Sequence, residues 1–128
     1  MTVIIDSTTY NIRVTSLARS ADFLDRYADR TQDGVLHRQL IGVYFNYKLK
    51  FAQPDDTNIS AYQALWLKLT EPVEFHTVTV PDVSGFDYTF TAYFANVADE
   101  IEITKVSANF WKNLTVNFIA QSPARVPA

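Results

Sequence analysis

From Val35 to Phe51 the chain reads VLHRQLIGVYFNYKLKF, and its second half alternates strictly: Ile41, Val43, Phe45, Tyr47, Leu49 and Phe51 share one apolar face, opposite Asn46, Lys48 and Lys50. A period of two is that of a half-buried β-strand. The first half differs, because Leu36, Arg38, Leu40 and Tyr44 share a face opposite His37 and Gln39, so neither side is cleanly polar there. A strand wet on neither face predicts a partner. Upstream, Thr2 to Ile5 and Asn11 to Leu17 predict two short strands around the turn-prone Asp6-Ser7-Thr8-Thr9. Downstream the period changes. Tyr62, Leu65, Trp66 and Leu69 fall on one face at helical spacing, with Ser60 and Gln63 as a capping-box pair and Pro72 as the stop. Then VEFHTVTV and FDYTFTAYFANV predict an antiparallel hairpin over the loop PDVSG, with Phe86, Tyr88, Phe90, Ala92 and Phe94 on one face. Leu114, Val116 and Phe118 alternate with Asn113, Thr115 and Asn117 in a last strand before a proline-bearing tail.

This order predicts a mainly β fold with one α-helix, an antiparallel β-sandwich or barrel with the helix packed across an open edge or end. Phe45, Tyr62, Leu65, Trp66, Leu69 and Phe90 are its expected core anchors. The chain of 128 residues fits one domain, and its three glycines and five prolines mark no linker.

Charge and composition narrow the function classes. Eleven basic against fourteen acidic residues give a net charge of -3, with the basic residues scattered, which argues against a general nucleic-acid binder. The absence of cysteine excludes disulfides, thiolate metal sites and thiol nucleophiles, and agrees with folding inside a cell. The N-terminal MTVIIDSTTYNIRV lacks the pattern of a signal peptide, and no apolar run is long enough to span a bilayer, so the chain reads as soluble.

Candidate chemistry is sparse. No phosphate loop, nucleophile elbow or HExxH helix occurs. His37 and His76 are the only histidines; His76 shares a strand face with Glu74, a spacing common to any alternating polar pair, and a structural role is expected for it. The pairs Asp55-Asp56 and Asp99-Glu100 are expected in solvated loops, since calcium needs more converging oxygens than either pair supplies. Asn58-Ile59-Ser60 and Asn113-Leu114-Thr115 match the glycosylation sequon by chance in a chain without a secretory signal. Trp66 and Trp111 have the chemistry of sugar-stacking platforms, although Trp66 sits on the helix's apolar face. Neither cofactor nor metal is implied.

The stretch RSADFLDRYADRTQDG stands apart: seven of its sixteen residues are charged, with Arg19, Arg26 and Arg30 balanced against Asp22, Asp25, Asp29 and Asp33. Two readings fit. One is a short surface helix with Phe23, Leu24 and Tyr27 as an apolar stripe and charged residues four apart. The other is an arm whose apolar stripe meets a neighbouring subunit while its balanced charges set the register.

The segments RSADFLDRYADRTQDGVLHRQLIGVYFNYKLKF, AYQALWLKLTEPVEFHTVTVP, YTFTAYFANV and FWKNLTVNFIAQSPAR together resemble small tail proteins of bacteriophages and prophages of Gram-positive hosts, the tail-tube fold group that includes distal-tail and baseplate-ring components. The resemblance covers most of the chain through its order of strand pair, arm, helix and final strand. It implies a single tail-tube-like domain over residues 1–128 with an arm at about 19–34. It further implies a non-enzymatic virion component that closes into homo-oligomeric rings, commonly of six, contacts other tail proteins, and surrounds a channel that DNA passes without specific binding. Such a protein assembles in the host cytoplasm, resides in the virion tail and needs no membrane. The subunit interface is then expected at Arg19, Asp22, Phe23, Leu24, Asp25, Arg26, Tyr27, Asp29, Arg30, Leu36, Arg38 and Leu40. Two other classes stay open: a carbohydrate- or receptor-binding β-sandwich at the tail tip, using exposed aromatics such as Trp111, Tyr88 or Tyr93, and a small enzyme.

Overall fold

The computed structural model describes residues 2–55, 57–102 and 110–127. Seven antiparallel strands form one sheet: β1 (Ile4–Ile5), β2 (Thr8–Thr9), β3 (Val14–Arg30), β4 (Leu36–Phe51), β5 (His76–Pro81), β6 (Asp87–Glu102) and β7 (Phe110–Ala120). Their order across the sheet is β2-β1-β5-β6-β7-β4-β3, so the two ends do not meet and the sheet is sandwich-like rather than a closed barrel. One α-helix, α1 (Ile59–Leu69), is present among the described residues.

Alternation builds the core as the strand pattern requires. Tyr47, Leu49 and Phe51 of β4, Val78 and Val80 of β5, and Leu114, Val116 and Phe118 of β7 are buried in one cluster. Tyr62, Leu65 and Leu69 of α1 join it, which fixes the helix against the sheet by burying its apolar stripe. Trp66, Phe45 and Phe90 are only partly buried against that cluster. Rings cross between strands, Tyr47 with Phe90 at 5.3 Å and Phe94 with Phe118 at 4.9 Å between centroids.

The turns follow local chemistry. Asp6 (φ 50°) and Ser7 (φ 68°) form the two-residue link between Ile5 and Thr8, and positive φ at both central positions is the type I′ geometry that matches hairpin twist. The expected helix cap is displaced: α1 begins at Ile59, and Ser60 lies inside it. Asn58 holds the cap position without a side-chain cap bond, because its side chain is engaged by the loop, accepting from the Asp55 amide at 2.7 Å and donating to the Asn11 carbonyl at 3.3 Å. The helix does end at Thr70, before Pro72. Phe86, expected on the inner face of β6, precedes the strand and is exposed.

Two features depart further from simple alternation. β3 and β4 form one long hairpin, yet β4 pairs with β7 only from Tyr47 to Lys50. Beyond that point Phe45 still packs against the core, and from Val43 outward the hairpin projects from the sheet, roughly 23 Å at ~3.3 Å per residue. The C-terminal tail pins its root: the Val43 amide donates to the Arg125 carbonyl and the Ala124 amide to the Val43 carbonyl, both at 2.9 Å. Gly42 permits this approach, since a Cβ there would stand 2.5 Å from Cβ of Pro123.

The second feature lies in the β6–β7 ladder. Between Ala95↔Asn117 and Ala98↔Thr115 β6 carries an extra residue, and between Ala98↔Thr115 and Glu100↔Lys112 the extra residue is on β7. Asn96 (φ 56°) and Asn113 (φ 57°) occupy these bulges, in the left-handed region that asparagine tolerates better than most residues. Each bulge reverses which side chains face the helix. Asp99 and Glu100, expected in a loop, therefore belong to β6.

Candidate functional site

Arg19–Arg30, for which a surface helix was one reading, is strand. A three-residue helical stripe had no surface to bury against, whereas the same residues complete a backbone ladder with β4. The change of period breaks the stripe. Phe23 opposes Val43 and Asp25 opposes Leu40 on one face of the arm; Leu24 opposes Gly42 and Tyr27 opposes Gln39 on the other. Residues four apart lie roughly 13 Å apart along such a strand, so charged partners come instead from across the hairpin. The guanidinium of Arg38 donates through Nε to Asp25 at 2.8 Å and covers the Phe23 ring at 5.7 Å. Asn46 donates to Asp22, and Arg19 reaches Asp82 beyond the hairpin at 3.3 Å.

Between them the two faces leave large apolar side chains in solvent. Phe23 is 61% exposed and Tyr27 49%, with Leu24, Val35, Leu36 and Ile41 similarly open. Arg26, Asp29, Arg30 and Arg38 are exposed beside them, while Asp25 and Leu40 are half-covered. At the tip, Gly34 (φ 84°) closes the turn, Arg30 donates to its carbonyl at 2.8 Å, and Asp33 is held below its ordinary pKa by the Thr31 hydroxyl and the Val35 amide. β3 is an edge strand of the sheet, so among the described residues its outer backbone groups also have no sheet neighbour.

A second cluster forms around His76, with partners that are distant in sequence. His76 is buried, and its partner is Asp6, seventy residues away, rather than Glu74, which is exposed. Nδ1 of His76 lies 2.7 Å from Oδ2 of Asp6, and the other carboxylate oxygen accepts from the Thr77 amide at 2.9 Å. Lys68 Nζ stands 3.6 Å from Asp6 and 3.0 Å from Glu71. The hydrogen bond with His76 leads in holding the Asp6 carboxyl below its ordinary value, against the opposing effect of burial, with help from Thr77 and Lys68. His76 also stacks on Phe94 at 4.7 Å, and its Nε2 is buried without a protein partner. This constellation ties the β1–β2 turn, α1 and β5 together; among the described residues it has no nucleophile in hydrogen-bond reach of the imidazole.

The third assembly is a cleft of about 370 Å³ lined by Ile59, Tyr62, Gln63, Trp66, Asp99 and Trp111. The Tyr62 hydroxyl donates to Asp99 Oδ2 at 3.0 Å, and burial followed by this carboxylate pushes the phenol far above its ordinary pKa. Tyr88 and Tyr93 are elsewhere, Tyr88 stacked on Phe90 and Tyr93 edge-on to Phe75.

Of the paired carboxylates, Asp55 accepts from the Thr57 amide and hydroxyl in its loop, and Asp56 lies outside the described residues. Among the described residues no three His, Cys, Asp or Glu converge as metal ligands, and no helix is long and apolar enough to cross a membrane. Comparison with family models, curated proteins and solved structures returns no match.

Proposed function

We propose that this protein is a structural assembly subunit, closing into a ring of a bacteriophage or prophage tail, in the tail tube or the distal tail and baseplate. One observation carries the reading: a long hairpin leaves the sheet with exposed apolar residues on both faces, Phe23 on one and Leu24 and Tyr27 on the other. A two-stranded ribbon exposed on both faces is only marginally stable in water, so a surface that covers it stabilises it as well as binding it. Ring subunits use heterologous contacts, in which one patch meets a different patch of the next copy, and a projecting arm supplies such a patch.

The charges suit the same role. Exposed ion pairs contribute only about 0 to 1 kcal/mol each, so affinity comes from the apolar side chains while Asp25, Arg26, Asp29 and Arg30 penalise wrong registers. The open backbone of β3 adds a means of continuing the sheet into a neighbour. A net charge of -3 limits adhesion to DNA in a conduit.

The test compares the full chain with a variant in which residues 24–42 are replaced by an Asn-Gly turn, joining the cross-strand partners Phe23 and Val43. Mass photometry and electron microscopy of the full chain show closed rings, and the shortened chain is a folded monomer. Monomeric full chain at micromolar concentration, or rings from the shortened chain, overturns the proposal. Detection of the chain in purified tail particles by mass spectrometry tests its place in a virion.

A further inference from the structure

The cleft between α1 and the β6–β7 hairpin holds both tryptophans of the chain, which lie forty-five positions apart in sequence. Simple alternation cannot bring Trp111 there. Leu114 and Val116 face the core, so an unbroken strand would turn an odd-numbered residue such as Trp111 outward. The bulge at Asn113 reverses that parity, and the bulge at Asn96 does the same for Asp99 on β6, after Phe94 has packed against the core. The two offsets compensate, so the ladder resumes with Ile101 opposite Trp111. Asn113 Nδ2 donates to Glu100 at 3.2 Å across the altered segment. A matched pair of left-handed asparagines thus re-aims an indole and a carboxylate to the side where α1 presents Trp66 and Gln63. Bulges are concentrated next to functional sites for this kind of re-aiming.

We propose that this cleft is a saccharide-binding site for a pyranose unit of a glycan. Its volume of about 370 Å³ lies at the small end of the ~300–1,000 Å³ typical of small-molecule sites. The C–H face of a pyranose is apolar with slightly positive hydrogens and packs on the negative π-face of an indole. Trp111 is 42% exposed and Trp66 half-buried, so ring area remains open to a ligand. Around the rim, hydroxyl groups need both donors and acceptors. Asp99 gives one oxygen to Tyr62 and keeps the other as a charged acceptor, and Gln63, exposed on α1, offers an amide with both capacities. The Tyr62 hydrogen bond also fixes the carboxylate's orientation before a ligand arrives. A quaternary ammonium ion is the competing occupant of an aromatic site with a carboxylate, but it has no use for Gln63.

Because the chain's only two tryptophans line the cleft, its intrinsic indole fluorescence reports on this site alone. The labelled full chain is first screened on a glycan array, and hits are titrated as free oligosaccharides by tryptophan emission, with tetramethylammonium as a parallel titrant. A saturable emission change with a glycan, weakened at least tenfold by Trp111→Ala and by Asp99→Asn in variants with unchanged circular dichroism, is the expected result. Gln63→Ala, on the exposed side of the helix, weakens binding several-fold without altering the melting temperature. No glycan hit, glycan binding that survives Trp111→Ala, or an emission change with tetramethylammonium but no sugar overturns the assignment. None of these readouts depends on ring formation, so its failure and that of the assembly reading are separable.

Discussion

Replacing Asp6 by Asn removes a negative charge from the His76 cluster while preserving nearly everything else. The residue has φ 50°, a conformation asparagine adopts as readily as aspartate, so the type I′ turn is kept. The amide carbonyl still accepts from the Thr77 amide or from His76; what is lost is the charge on those bonds and the attraction to Lys68 at 3.6 Å. A hydrogen bond to a charged group contributes ~1.5–3 kcal/mol against ~1 for a neutral one. The Asp6 side chain is 37% exposed, and solvent screening lowers the difference, leaving about 1 kcal/mol. That corresponds to a fall of about 3 °C in Tm for a chain of this size. The pH dependence gives a stricter check. The folded pKa of Asp6 lies below its ordinary 3.8, so its contribution is complete above the unfolded value and disappears as pH falls through the folded one. Urea denaturation of the wild type and Asp6→Asn at pH 7 and in steps down to pH 2 measures both quantities. The gap is expected at pH 7 and closes in acid. A variant as stable as the wild type at pH 7, or a gap unchanged at pH 2, refutes the argument that the charged bond to His76 holds this corner.

Leu65→Ala is expected to cost about 3 kcal/mol in the same assay, because the side chain is fully enclosed, whereas Trp66→Ala, at a partly buried position, costs under ~2; equal losses contradict the observed placement. Gly42→Ala forces a methyl group against Pro123 in a strand pinned by Leu24 opposite, and costs ~1–3 kcal/mol; faster hydrogen exchange at Val43 and Ala124 locates the damage at the tail. Phe23→Ser with Tyr27→Ser costs about 1–3 kcal/mol of folding stability, since each ring is only about half buried, and leaves a folded monomer, yet abolishes ring formation in mass photometry; rings that persist count against the arm as the contact surface.

The parts of the fold legible in the sequence are those where one face is wet and the other is core. β4 from Tyr47 to Phe51 and β7 from Leu114 to Phe118 alternate because each successive side chain meets a different medium, and α1 shows its period for the same reason. The arm lacks that contrast. With solvent on both sides, Arg19–Arg30 carries no burial constraint to impose a period of two, and its Phe23, Leu24 and Tyr27 fit a helical stripe equally well. Only pairing with β4, a non-local contact, decides between the two.

The cleft was hidden by a different cause. Trp66 and Trp111 both stood out as aromatics, but a sequence read in strict alternation places Trp111 on the face away from Leu114 and offers Asp99 no partner. The deciding residues are Asn96 and Asn113, whose left-handed conformations look in sequence like ordinary polar positions of a strand. A test of that causal step makes two separate replacements of Asn113. Gly tolerates positive φ at no steric cost, so Asn113→Gly keeps the bulge and leaves Trp111 in the cleft. Valine strongly disfavours that region, so Asn113→Val drives the strand toward regular pairing and turns Trp111 outward. The readout is the emission of the one remaining indole in a Trp66→Phe background, quenched by iodide. Asn113→Val is expected to raise the quenching constant above that of Asn113→Gly, with the β6–β7 ladder retained in hydrogen exchange. Equal quenching in the two variants means that the Asn113 bulge does not aim Trp111.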